Sequence, residues 1–242
     1  MPYERLRASA VIKTAQRLER RIQARFPERN LGGVAARLLI VTADVERIAV
    51  RTIGMRALRL TGVVLIVVLV VLTVLSLGAV ALELAGRTGS PLAWLQAVET
   101  TVNDLVFVGI AVGFLWLLPG HLERRRILSE LHRLRSLAHV IDMHQLTKDP
   151  ERFAVDFVPT PQTVSVRLTR AQMSTYLDYC SELLSLVSKT AALYAERSTD
   201  PVVLATVSDI ENLTNGMSRK IWQKLAMLAD DAGRGLVPAK AD

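Results

Sequence analysis

Cys180 is the only cysteine among 242 residues. No intramolecular disulfide can form, and a disulfide scaffold is excluded. The chain also lacks the short motifs on which much catalysis rests. It has no Gly-rich phosphate loop of the Walker or dinucleotide type, no HExxH, no CxxC and no GxSxG. Aromatic residues make up only 5%, and the N-terminal arginines lack the interleaved aromatics on which a single-strand nucleic-acid binder stacks bases. Prolines and glycines are few, with 9 and 13 respectively, which removes collagen-like and low-complexity readings.

Half of the residues are hydrophobic although 22% are charged, so disorder is excluded and the apolar residues must be concentrated somewhere. They are. Leu60–Leu82 is a run of 23 residues without a charge, mostly Val and Leu. A membrane helix needs about 20 apolar residues at 1.5 Å each to cross roughly 30 Å of hydrocarbon, so this run predicts a span. It opens too deep in the chain to read as a cleavable signal. A second candidate runs from Pro91 to Leu118. Its inner part is uncharged, its first turns carry Glu99, Asn103 and Asp104, and Trp94 and Trp116 stand near its ends, where indoles favour interfaces.

The net charge of +7 is unevenly placed. Residues 1–59 carry +8, residues 60–118 carry −2 and residues 119–242 carry +1. Arg47, Arg51, Arg56 and Arg59 precede the first run, and Arg124, Arg125, Arg126, Arg133 and Arg135 follow the second. Only Arg87 lies in the polar turn between them. Because positive charge stays inside, both termini are expected on the cytoplasmic side of an inner (plasma) membrane. The alternative, a buried helix over Pro91–Leu118 and one span, would put the later arginines outside.

The rest reads as helix. Val34, Leu38, Val41, Val45, Ile48, Thr52 and Ile53 recur at three- and four-residue spacing, as do Ile127, Leu131, Leu134, Ala138 and Ile141. Unbroken helices over residues 31–85 and 91–145 would each reach about 80 Å, with Pro119-Gly120 kinking the second. Val11, Ala15, Leu18, Ile22 and Phe26 mark a helix over residues 3–26. Thr169 with Gln172 forms a capping-box pattern before Met173, Tyr176, Cys180, Leu183, Val187 and Tyr194. Asp200-Pro201 opens another helix with Val203, Val207, Ile210, Met217, Ile221, Leu225 and Leu228 as its seam.

The expected fold class is therefore an all-α membrane protein, with a two-span transmembrane hairpin continuous with a cytoplasmic helical bundle. Its parts are basic N-terminal helices over 1–59, spans over 60–84 and 91–118 joined by an outer turn at 85–90, a bundle over 119–231 and a flexible tail at 232–242. The connector at 147–168 alternates apolar residues around Pro159-Thr-Pro161. It is read as an extended strap in preference to a β-hairpin. The layout resembles that of bacterial two-span effector and sensor proteins, in architecture only.

Candidate sites follow from what is left. His121, His132, His139 and His144 all fall on one helix. The first three line up about 16 and 10 Å apart, too far for one metal, so a polar stripe is expected and no metal or cofactor. Cys180 sits in an apolar seam and reads as core rather than nucleophile. Glu99, Asn103 and Asp104 are either interhelical or pore-lining polar groups or acids at a helix start wetted by headgroups. Gly109 and Gly113 form a GxxxG that could seat a helix of the same chain or of another copy. Arg17, Arg20, Arg21 and Arg25, with Arg124, Arg125 and Arg126, are candidates for facing anionic lipid. His144, Thr147, Lys148 and Asp149 could meet a ligand or partner, or could simply complement a helix end.

The function expected is non-enzymatic. The bundle would bind a cytoplasmic protein or small signalling ligand, while the hairpin anchors it in the lipid bilayer and self-associates. A pore-forming effector or small cation channel is the second reading. A membrane-tethered nucleic-acid binder ranks last.

Overall fold

The computed structural model describes residues 5–50, 52–86, 91–154, 156–163 and 167–234, with side chains described for 5–45, 60–82, 95, 98–154, 156–163 and 167–229. Within these residues the protein is all-helical, without strands. Six α-helices and one short 3-10 turn follow in order: α1 (Ala8–Arg25), α2 (Leu31–Val50), α3 (Thr52–Gly86), α4 (Pro91–Leu146), the turn Pro150–Phe153, α5 (Arg170–Ala195) and α6 (Pro201–Arg234). The chain divides into two units, Met1–Ile48 with Ile127–Asp242, and Ala49–Arg126.

The first unit is a helical bundle built on the expected seams. Val11, Ala15, Leu18, Ile22 and Phe26 of the N-terminal segment are buried, as are Val34, Leu38, Val41 and Val45 of α2. So are Ile127, Leu131, Leu134, Ala138 and Ile141 of α4. From α5 come Met173, Tyr176, Cys180, Leu183, Val187 and Tyr194, and from α6 Val203, Val207, Ile210, Met217, Ile221 and Leu228. All belong to one continuous core. At about 1.5–3 kcal/mol for each large apolar side chain withdrawn from water, these seams supply the main drive for assembling the bundle. Ile48, Thr52 and Ile53 lie outside the described side chains.

Polar contacts fix the register of the helices. Thr42 on α2 and Thr190 on α5 are both buried, with their hydroxyls 3.0 Å apart. Arg197, just past α5, donates to the Val45 carbonyl at 2.6 Å. Both predicted caps form. The Thr169 hydroxyl accepts from the Gln172 N–H at 3.2 Å while the Gln172 side chain accepts from the Thr169 N–H at 2.9 Å. One Asp200 carboxylate oxygen accepts from the backbone of Val202 and Val203 at 2.9 and 3.2 Å. Each cap satisfies N–H groups that the first turn of a helix leaves without partners.

The connector shows no strand among its described residues; after the Pro150–Phe153 turn come two more turns, in which the Phe157 N–H donates to the Ala154 carbonyl at 3.3 Å and the Thr163 N–H to the Thr160 carbonyl at 2.9 Å. Residues 155 and 164–166, part of the alternating pattern, lie outside the described residues. So do residues 87–90 of the expected outer turn and residue 51, with helix described on both sides of it. The last helix runs to Arg234, slightly beyond the expected 231.

In the second unit, α3 and the first part of α4 are long and apolar enough to cross a membrane. Their apolar side chains are turned outward. Leu65, Leu72 and Leu75 of α3 and Phe107, Ile110 and Phe114 of α4 are all exposed, the inverse of the bundle's order. α4 continues through Pro119 as helix.

Candidate functional site at the end of the long helix

The last turn of α4 leaves carbonyls without helical partners. The chain turns back there, with the Lys148 N–H donating to the Gln145 carbonyl at 3.0 Å. A lysine from α6 completes the cap. The Lys224 ammonium donates to the carbonyls of Gln145 and Lys148 at 3.0 and 3.2 Å. A cation is favoured at this end of a helix, where the carbonyl dipoles point outward. Arg170, at the start of α5, works in the same way. It donates to the Phe153 and Leu228 carbonyls at 3.1 and 3.2 Å, tying the connector to α6.

Around this cap the structure gathers the four residues singled out from sequence, together with others that spacing alone did not reveal. The His144 ring nitrogen Nδ1 lies 3.2 Å from the Tyr176 hydroxyl of α5. Lys148 is 6% exposed, which is unusual for a lysine. Its ammonium donates to the Thr147 hydroxyl at 2.6 Å and lies 5.1 Å from the centre of the Tyr176 ring, a cation–π contact. Phe26 meets the Tyr176 ring edge-on at 5.4 Å. Thr147 and Asp149 are exposed and form the rim. Gln145 is buried; its amide donates to Asp142 at 2.7 Å, while its Oε1 has no hydrogen-bond partner among the described residues.

Positive charge dominates the electrostatics. Burial pushes the Lys148 ammonium below its ordinary range, and Arg29, Lys224 and Arg152 push it further. His144 is lowered by burial and then by Lys148. Lys224 is lowered by burial, against the pull of Asp149 and Asp142. The Cys180 thiol, fully buried beside this cluster, is raised to about 12 by desolvation. A thiol held protonated is a poor nucleophile, and Cys180 packs as core.

The other candidates are placed as follows. His121, His132 and His139 are exposed along α4. Arg21 pairs with Glu182 of α5 through two hydrogen bonds of 3.0 and 3.3 Å and lies over the Tyr179 ring, so it serves the α1–α5 packing. Arg20 donates to the Gln16 carbonyl at 3.3 Å. Arg17, Arg25, Arg125 and Arg126 are exposed and Arg124 is half-buried. Glu99, Asn103 and Asp104 are exposed on α4. At Gly109 and Gly113 an added methyl group would meet nothing within 4 Å among the described residues.

One surface of the bundle escaped the sequence reading. Two open cavities of about 590 and 430 Å³ share Arg37 of α2 with Leu137 and Val140 of α4. They form a shallow groove along these helices, with His132 and Ser136 on its wall. Val140, at the groove, and Met143, one turn on along α4, are exposed. An open groove of this sort suits a protein surface better than a small molecule, which is held in a concave, enclosing site.

Comparison of the chain with known protein families, with curated proteins and with solved structures finds no match in any of the three.

Proposed function

We propose that this protein is a non-enzymatic, membrane-anchored helical bundle that receives a cytoplasmic protein partner or signal. In this reading α3 and the first part of α4 form a two-span hairpin, and both termini lie on the cytoplasmic side. The observation that carries it is the contrast between the two units. The bundle closes its seams into a buried core, whereas the described apolar side chains of Leu60–Leu82 all lie outside it. Such an area of exposed hydrocarbon is stable only against lipid or another helix. The α2–α4 groove and the rim of the α4 cap supply the receiving surface, and the buried Lys148 and Cys180 act as packing groups.

A pore is the second reading, supported by a specific observation. Glu99, Asn103 and Asp104 are exposed, and Gly109 and Gly113 open onto empty space on the same helix. Close approach by a second copy would use these positions. Nucleic-acid binding through α1 draws less support, because Arg21 is engaged with Glu182.

The mass of the detergent-solubilised full chain separates the first two readings. The anchor reading predicts a monomer or dimer that Asp104→Leu leaves unchanged. A larger ring dispersed by that substitution would favour the pore. Hydrolase or transferase activity lost on changing one polar side chain would overturn the non-enzymatic reading itself.

A further inference from the structure

Within the second unit, α3 and α4 face a common cavity of about 330 Å³, lined by Gly62, Val63 and Ile66 on one side and by Leu115, Trp116 and Pro119 on the other. The cavity exists for identifiable reasons. Gly62 has no side chain, and a methyl group added there would stand 3.7 Å from the Leu115 carbonyl oxygen. Pro119 has no N–H to return to that carbonyl, four residues before it. A close backbone approach and a missing donor therefore leave a slot walled by apolar side chains. Its volume falls near the lower end of ligand pockets, about 300–1,000 Å³. A helix, at about 10 Å across, does not enter a slot of this size.

The position of the slot indicates what fills it. Gly62 is two residues inside the start of the Leu60–Leu82 run, and Pro119 directly follows the second span, so the slot opens at the inner interface. Arg126 follows Pro119 by seven residues, two turns on the same face, and it is exposed, as are Arg125 and His121. Five residues beyond Gly120 amount to about 7.5 Å of helix rise, close to the thickness of one headgroup layer. Glu123 on this stretch already has an interaction of its own. Apolar walls at the depth of the acyl chains, with arginines at the depth of the phosphate, match one molecule.

We propose that the slot seats one acyl chain of an anionic phospholipid, with its phosphate held at the level of Arg125 and Arg126. This inference rests on the reading of α3 and α4 as membrane spans. Trp116, on the wall, serves as the reporter. The full chain carrying Trp94→Phe and Trp222→Phe retains only this indole. It is reconstituted into phosphatidylcholine vesicles containing phosphatidylglycerol, with bromine on the chains of one lipid or the other.

Brominated phosphatidylglycerol is expected to quench Trp116 at about fivefold lower mole fraction than brominated phosphatidylcholine, the preference that one basic residue near the phosphate confers. Arg126→Gln should reduce this preference. Gly62→Leu should abolish it by filling the slot. So should Gly120→Leu, at a glycine that also lines the slot and where an added methyl group meets nothing within 4 Å among the described residues. Equal quenching by the two lipids overturns the proposal. So does a preference that survives both leucines, which would be general attraction of anionic lipid by the arginines. Failure of the protein to float with the vesicles would instead overturn the membrane reading on which the site depends.

Discussion

His144 and Tyr176 meet where α4 ends, 3.2 Å apart, and the pair is sensitive to protonation. A neutral imidazole with Nδ1 free accepts from the phenol, whereas the imidazolium cannot. Its charge would also face Lys148, which already helps to lower the histidine. The folded value thus lies below the ordinary 6.5. Between the two, the unfolded chain binds the extra proton, so stability rises with pH through that window, is complete above 6.5 and is lost as pH falls. The bundle should melt at a lower temperature at pH 5 than at about pH 7.5, by the equivalent of about 1 kcal/mol, the usual worth of one hydrogen bond. In His144→Gln that difference should shrink. An identical pH dependence in the two proteins would remove His144 as its source.

Helix ends were legible because their signals are local. Thr169 and Gln172 are three residues apart, and Asp200 stands directly before Pro201, so each cap can be read from adjacent letters. Replacing either Thr169 or Asp200 by alanine should cost about 1 kcal/mol in denaturant unfolding. Loss of less than a few tenths would mean that the first turns of α5 and α6 are held by packing alone. The seams were legible for a similar reason, since period 3.6 is a property of each helix by itself. The cap on α4 was not. His144 and Lys148 looked like the residues that would complement this helix end, yet the cation on the carbonyls is Lys224, 79 residues from Gln145. Which helix supplies a cap is decided by packing between elements, and no local pattern encodes it. The burial of Lys148 and the Thr42–Thr190 pair escaped on the same ground.

At the scale of the whole molecule, two orders of side chains coexist in one sequence. In the bundle, 35 of the described apolar residues form a single buried core. In α3 and the first part of α4 they point outward, with Leu72 at 59% and Phe114 at 63% exposure. The uncharged run that carries this inversion was legible from composition alone, because the length of hydrocarbon to be crossed sets the length of the run. The groove at Arg37, Leu137 and Val140 was not, since it is assembled from helices distant in the chain.

The proposed hairpin through the bilayer, with both ends inside, is tested directly by cysteine labelling. The native thiol is removed by Cys180→Ala, and single cysteines are placed by Ser90→Cys, between the spans, or by Ser136→Cys, on the exposed surface of α4. With a membrane-impermeant maleimide, the cysteine at 90 should label in intact cells and the one at 136 only after permeabilisation. Labelling of 136 in intact cells, or protection of 90 until the membrane is opened, would contradict it.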